Sequence, residues 1–279
     1  MTNIFTAEQR KVFDFPVKRE KLLNPQQHDT GYDAIYRTDS GANLGVVGRG
    51  YKLIPHRIAI LDVLRQFEEN GLPKVEPVRI AASAMGSRLF AEFKFAEKFD
   101  LGIASTEDPK VGDLISPGFK IINSYDRSIE YSLSAFLLRL TCTNGMTVTE
   151  QLFFDSQRHV AKLEINKMVD SFVEKYGDMR DIVVPAIRNL SDKEVTPSYF
   201  ENQLNGLPAW FRTEAISYMS DHNLVAMEDG EDGPELVMMK KISNWDFYNS
   251  LTYVLSHSDE ISEERRNSLG ETVSATFGM

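Results

Sequence analysis

The sequence predicts an α+β fold: an antiparallel, hairpin-rich sheet with one inserted helix, followed by a mainly helical C-terminal part. Three observations carry this. Up to about residue 160, short apolar runs alternate with polar residues between clusters of turn formers. One segment in that region, opening near His56, instead has helical spacing. After Val160 the helical period takes over. Strands grouped in hairpins, not alternating with helices, mark α+β and not α/β.

The elements follow in order. Residues 1–31 hold an extended stretch, Val12–Val17, and a polar one, Asn24–His28, expected to form an arm or edge. Tyr32–Arg37 and Leu44–Ile54 read as paired strands. Ile60, Val63, Leu64 and Phe67 fit i, i+3, i+4, i+7 of a helix that Asn70-Gly71 ends. Val78–Ala84 and Arg88–Ala96 form a hairpin across Met85-Gly86-Ser87. In its second strand Ala91, Phe93 and Phe95 alternate with Glu92 and Lys94, giving one buried and one wet face. Asp100–Lys110 is polar and reads as loop. Val111–Ser124 and Ile129–Thr141 pair across Tyr125-Asp126-Arg127-Ser128. Asn144-Gly145 is the strongest short-range hairpin signal, because a type I′ turn needs positive φ at both central residues, and it leads to a further strand ending near Phe154. Val169, Phe172, Val173 and Tyr176 then fit a helix. Helical stretches follow near 179–190, 197–204, 208–221, 244–256 and 262–277. Pro185 is expected to kink or break the first of these, and Gly230–Pro234 reads as a surface loop. The aromatic groups Trp210-Phe211 and Trp245, Phe247, Tyr248 are expected to pack within the helical part or between subunits.

The organisation is thus a sheet domain over 1–162 and a helical region over 163–279. Charge divides the same way. Residues 1–162 contain 21 basic and 20 acidic side chains, whereas 163–279 contain 10 and 21, within a net charge of −10. A basic groove fits the neutral part and not the acidic one. The chain has 279 residues, ample for a core. It has no apolar run of about 18 residues, so no membrane span is expected, and its start lacks the basic and apolar regions of a signal peptide. The single cysteine, Cys142, excludes an intramolecular disulfide. A reducing bacterial cytoplasm is the expected location.

Enzymatic signals are weak. Gly45-x-x-Gly48-x-Gly50 has the wrong order for a dinucleotide fingerprint and is followed by Tyr51–Ile54, read as strand, whereas a phosphate loop needs a helix N-terminus. It reads as a glycine-rich hairpin. The histidines His28, His56, His159, His222 and His257 are scattered, with no metal-type spacing. Cys142 lies in line with Leu138 and Leu140 and reads as core. Acidic pairs such as Glu228-Asp229 and Glu263-Glu264 read as solvated surface. No catalytic residue, metal or cofactor is expected.

Nucleic-acid binding has the better case. Single strands are held by base stacking on aromatics and by cations along the backbone. The sheet half interleaves the two, and its candidate contacts are Arg49, Tyr51, Lys52, Lys94, Lys120, Tyr125, Arg127, Tyr131, Arg158 and His159. Tyr51, Tyr125 and Tyr131 are the expected stackers, with Tyr125 and Arg127 on an exposed turn. Arg158-His159 is the expected phosphate contact.

Arg139-Leu-Thr-Cys142-Thr-Asn-Gly145, followed by Ser156-x-Arg158-His159, resembles the core of a family of phage- and plasmid-encoded proteins of unknown function. The resemblance spans residues 30–260 loosely and is specific at 111–160. It implies mobile-element DNA as context and supplies no catalytic residues to carry over. Together these readings point to a non-enzymatic phage protein that binds single-stranded DNA in replication, recombination or transcription. The acidic half is expected to drive self-assembly into a homo-oligomer or to recruit a polymerase or other replication protein. The alternative is a protein-interaction or regulatory adaptor without DNA contact. An enzyme acting on nucleic acid ranks third.

Overall fold

The computed structural model describes residues 4–104, 112–139, 145–146, 153–230, 233–258 and 261–277. The chain divides into two units, each built from separated stretches: 1–97, 117–135 and 153–177 in the first, and 98–116, 136–152 and 178–279 in the second. The fold is α+β, with antiparallel sheets and a helical C-terminal part.

The first unit opens on α1 (Ala7–Phe13), where the sequence reading has an extended arm beginning at Val12. A capping box starts this helix: Thr6 Oγ1 accepts from the Gln9 N–H, and the Gln9 side chain accepts from the Thr6 N–H. Strands β1 (Val17–Leu23), β2 (Asp29–Arg37) and β3 (Asn43–Gly48) form an antiparallel sheet in that order. The expected strand to Ile54 stops at Gly48. There the Arg19 guanidinium of β1, paired with Asp33 at 2.7 Å, donates to the carbonyls of Gly48, Arg49 and Tyr51. Beyond β3 the carbonyls of Arg49 and Tyr51 thus serve an arginine and not a ladder. Helix α2 (His56–Glu69) follows, and its Ala59, Ile60, Val63, Leu64 and Phe67 are buried as the spacing requires.

The larger sheet takes β4 (Val75–Ala82), β5 (Arg88–Phe95), β6 (Phe99–Ala104), β7 (Gly112–Ser124), β8 (Tyr131–Arg139), β9 (Gly145–Met146) and β10 (Phe154–Gln157). In the first unit the order is β10-β8-β7-β5-β4, all antiparallel. The expected alternation in β5 holds: Ala91, Phe93 and Phe95 are buried, while Glu92 and Lys94 are partly exposed. Phe67 of α2 packs edge-on against Phe119 of β7 at 4.8 Å, and Phe93 stacks on Phe119 at 5.0 Å. Strand β8 is buried from Tyr131 to Leu138, Ser132 and Ser134 included, so both of its faces are covered. Helix α3 (Ile165–Ser191) brings Phe172 to within 4.8 Å of Phe67.

Helix α3 passes through Pro185, and the two helices expected around it are one. Proline in a helix costs about 3 kcal/mol. Val183, Ile187 and Leu190 are buried on the same turns, each worth roughly 1.5–3 kcal/mol, so burial outweighs the break.

In the second unit β6 pairs with the start of β7 and β9 with the end of β8. Gly145 lies opposite Leu138, within that pairing. Asn144, the other half of the expected turn, lies outside the described residues, as does Cys142. Helices α4 (Pro197–Asn205) and α5 (Ala209–Asp221), strands β11 (Val225–Gly230) and β12 (Gly233–Met238), and helices α6 (Asn244–His257) and α7 (Glu263–Thr276) complete the unit. The four helices match the expected stretches. The β11–β12 hairpin replaces what reads as loop, with pairing from Val225↔Met238 to Gly230↔Gly233. The aromatics pack as expected: Phe247 lies 4.8 Å from Phe200 and 5.5 Å from Phe277.

Gly45 shows what its glycine-rich segment is for. A Cβ there would sit 2.7 Å from both Asp126 Cα and the Tyr125 carbonyl oxygen, so β3 lies directly against the 125–126 turn. Gly45→Ala is expected to lower stability by roughly 1–3 kcal/mol, because the obstacle is backbone. Urea unfolding followed by circular dichroism measures this.

Candidate functional site

The first unit carries a cleft of ≈ 390 Å³ whose walls include Tyr51, Arg127, Ser128, Glu130, Arg158 and His159. Three chain segments meet there: the stretch after β3, the β7–β8 turn, and the stretch after β10. Four of the ten expected contact residues line it.

The β7–β8 turn is held from several sides. Asp126 accepts from Ser128 N–H and Oγ–H and from Arg88 Nε. Burial pushes the Asp126 carboxyl up, but the Ser128 and Arg88 bonds outweigh it and leave its pKa below the ordinary value. Arg127 takes the left-handed conformation, with φ of 65°, which disfavours a side chain at this position. The turn holds it there, exposed and without an ion-pair partner among the described residues. Arg158 is 84% exposed at its side chain. Its Nε donates to Glu130 at 3.2 Å, and Ser156 Oγ donates to the same carboxylate at 2.8 Å.

His159 is buried. Its backbone carbonyl accepts from Lys52 N–H at 2.9 Å, and its Nδ1 donates to the Lys52 carbonyl at 3.2 Å. Its ring stacks on Tyr51 at 4.9 Å. Burial lowers its pKa below the ordinary histidine value, so the ring is neutral. Tyr51 is only 7% exposed, and its hydroxyl donates to the Ser124 carbonyl. Its face is covered by His159 and is no platform for a base.

The remaining expected contacts lie elsewhere. Tyr125 and Tyr131 are fully buried, which corrects their expected exposure. The Tyr125 hydroxyl accepts from His56 N–H at 2.7 Å, its ring stacks on His56 at 4.1 Å, and Tyr131 donates to the Ala59 carbonyl. They are core residues whose hydroxyls are satisfied inside the fold. Lys120 is also buried, paired with its cross-strand neighbour Glu92 at 2.8 Å. Lys94 pairs with Glu76 across β4 and β5, and Arg49 with Asp29. Lys52 donates to the Leu163 carbonyl at 2.7 Å. These lysines and Arg49 stabilise strands and chain crossings and do not line the cleft. Sequence reasoning misses Ser128 and Glu130. An Asp-x-Ser turn is the only signal for the first, and nothing local marks the second.

His56 sits beneath the turn, fully buried. Its Nδ1 accepts from Asn123 Nδ2 at 2.8 Å and its Nε2 donates to the Gly86 carbonyl at 3.0 Å. Burial lowers its pKa to about 3.

The family model described as a domain of unknown function, DUF932, matches residues 43–273. Comparison with curated proteins finds no match, and comparison with solved structures finds none.

Tyr125→Ala should lower stability by about 3–5 kcal/mol through the cavity it leaves, measured by urea unfolding. Acid should also weaken the fold through His56. The unfolded histidine titrates near 6.5 and the folded one near about 3. Its stability contribution is therefore complete above pH 6.5 and declines by roughly 1.4 kcal/mol per pH unit as pH falls towards 3. Urea midpoints measured between pH 7 and pH 4.5 should fall less steeply in His56→Gln than in the natural chain.

Proposed function

The chain belongs to this family of unknown function, and we propose that it binds single-stranded DNA, with the cleft of the first unit on the sugar-phosphate backbone. The observation that carries this reading is the convergence of Arg127 and Arg158 on one cleft beside Tyr51 and His159. Both guanidiniums are exposed, and guanidinium matches the geometry of phosphate oxygens. Because the tyrosines are internal, binding rests on phosphate contacts and not on a stacking platform. A cleft of ≈ 390 Å³ is at the small end of ligand pockets and has no room for a duplex. The cellular setting of this reading is replication, recombination or transcription of phage DNA in a bacterial host. The acidic C-terminal part would contact a second copy or a replication protein there.

Fluorescence anisotropy with labelled oligo-dT and a matching duplex, over a salt series, tests this. Single strands should bind more tightly, with affinity falling as salt rises. Equal or tighter duplex binding at moderate salt refutes the reading. Arg158→Ala should weaken binding roughly tenfold and reduce the salt slope by roughly 0.7. Arg127→Gly removes the cation and also relieves the left-handed backbone, so it should lose affinity without losing stability. Glu130→Gln removes the anion that competes for Arg158 and should tighten binding by up to about fivefold, the scale of an exposed ion pair.

A further inference from the structure

The cleft holds more than a pair of cations. His159 is 5% exposed and is one of its walls. Its Nδ1–H is used on the Lys52 carbonyl, so Nε2 carries the lone pair of a neutral imidazole. That Nε2 is closed to solvent and has no hydrogen-bond partner among the described residues. A buried acceptor left unmatched is a standing cost, and an occupant that brings a donor to it removes that cost.

The same cleft therefore asks for two things. Arg127 and Arg158 call for anionic oxygens, and His159 calls for an N–H. A nucleotide carries both, on its phosphate and on the edge of its base. The volume, ≈ 390 Å³, suits one such unit and not a run of them. We propose that the cleft is a single-nucleotide pocket, with the phosphate on Arg127 and Arg158 and a base N–H donating to His159 Nε2. The pocket rests on the nucleic-acid reading of this cleft and names the unit of the strand that it takes.

Nε2 is closed to solvent, so a neighbouring side chain has to move for a donor to reach it. Arg158 has the least to lose: it is 84% exposed and its ion pair is with Glu130 at the surface. A phosphate that takes Arg158 from Glu130 would move one side chain of the cleft wall as it binds. A base that enters the cleft to reach His159 has to leave the duplex stack, which gives the preference for single strands a local cause.

Competition against fluorescein-labelled oligo-dC on the full chain tests the pocket. dCMP should displace the strand at least about tenfold better than 2-deoxyribose 5-phosphate, which lacks the base. His159→Phe keeps a ring against Tyr51 and removes the acceptor. It should bring dCMP to the level of the sugar phosphate and leave the sugar phosphate unchanged. Equal displacement by the two in the natural chain overturns the proposal, as does a preference retained in folded His159→Phe. The ¹⁵N resonance of His159 Nε2 in the natural chain gives a readout that needs no variant: it should shift when dCMP is added, and an unmoved resonance overturns the proposal. Failure of the labelled strand to bind would sink the single-strand reading alone. The pocket is then decided by calorimetric titration of dCMP, where heat abolished by Arg158→Ala supports it and no heat overturns it.

Discussion

The cleft exists because Lys52 and His159 hold each other. Their backbones and one imidazole nitrogen form a two-way bond between residues 107 apart in sequence. Each side needs its own support. On the first, Arg19 pins the carbonyls of Gly48, Arg49 and Tyr51, and Asp33 keeps that guanidinium in place. On the second, Lys52 reaches on to the Leu163 carbonyl, fixing the stretch between β10 and α3. Hydrogen bonds to a charged donor are worth about 1.5–3 kcal/mol each. The four carbonyls held by Arg19 and Lys52 thus fasten two stretches, the one after β3 and the one between β10 and α3. Tyr51 is then positioned to stack on His159, and the two rings become one side of the cleft.

The other side is fixed from below. His56, Asn123 and Tyr125 form a buried polar cluster in which the ring stack and three hydrogen bonds orient each member. With Tyr125 anchored there, the next residue, Asp126, starts a turn closed by Ser128. Arg127 lies between them in a backbone state that costs on the order of 1–3 kcal/mol for a non-glycine residue. Such a state persists only where its neighbours over-determine it. Gly45 contributes by leaving room for the turn to press against β3. The glycine that resembles part of a phosphate loop in sequence acts here by close approach, and the cation it helps to place is one residue further on.

The sequence made legible whatever depends on local pattern. The β4–β5 and β7–β8 hairpins, the α2 stripe and α4 to α7 follow from periodicity and turn chemistry, and so does the α+β class. What it could not show is which polar or aromatic side chains find partners inside. Tyr125 looks exposed because its neighbours are polar, and Lys120 because it is charged. Yet Tyr125 has the His56 amide to bond and Lys120 has Glu92 directly across the strand pair. Both partners are long-range and invisible to a window of sequence. The same limit hides Glu130, whose meaning comes from Arg158 and Ser156 on β10 and beyond. It also hides β11–β12, where acidic residues and glycine lower strand propensity while a full antiparallel register stabilises the pair. Arg158 and His159 stand out in the sequence because they lie within the Ser156-x-Arg158-His159 part of the family-like motif.

A net charge of −10 weighs against a site for an anion. Range decides the matter. At physiological salt the Debye length is about 8 Å, so exposed charges farther away are largely screened from Arg127 and Arg158. Of the carboxylates beside them in the turn, Asp126 is committed to Ser128 and Arg88, and Glu130 to Arg158 and Ser156. The acidic surplus falls in residues 163–279 and, on the proposed reading, would slow the approach of a polyanion. Low salt would extend that repulsion and also strengthen the proposed phosphate contacts, so the two effects would oppose each other along a salt series. On that reading affinity would be governed by the cleft, while association rate would report the charge of the whole chain.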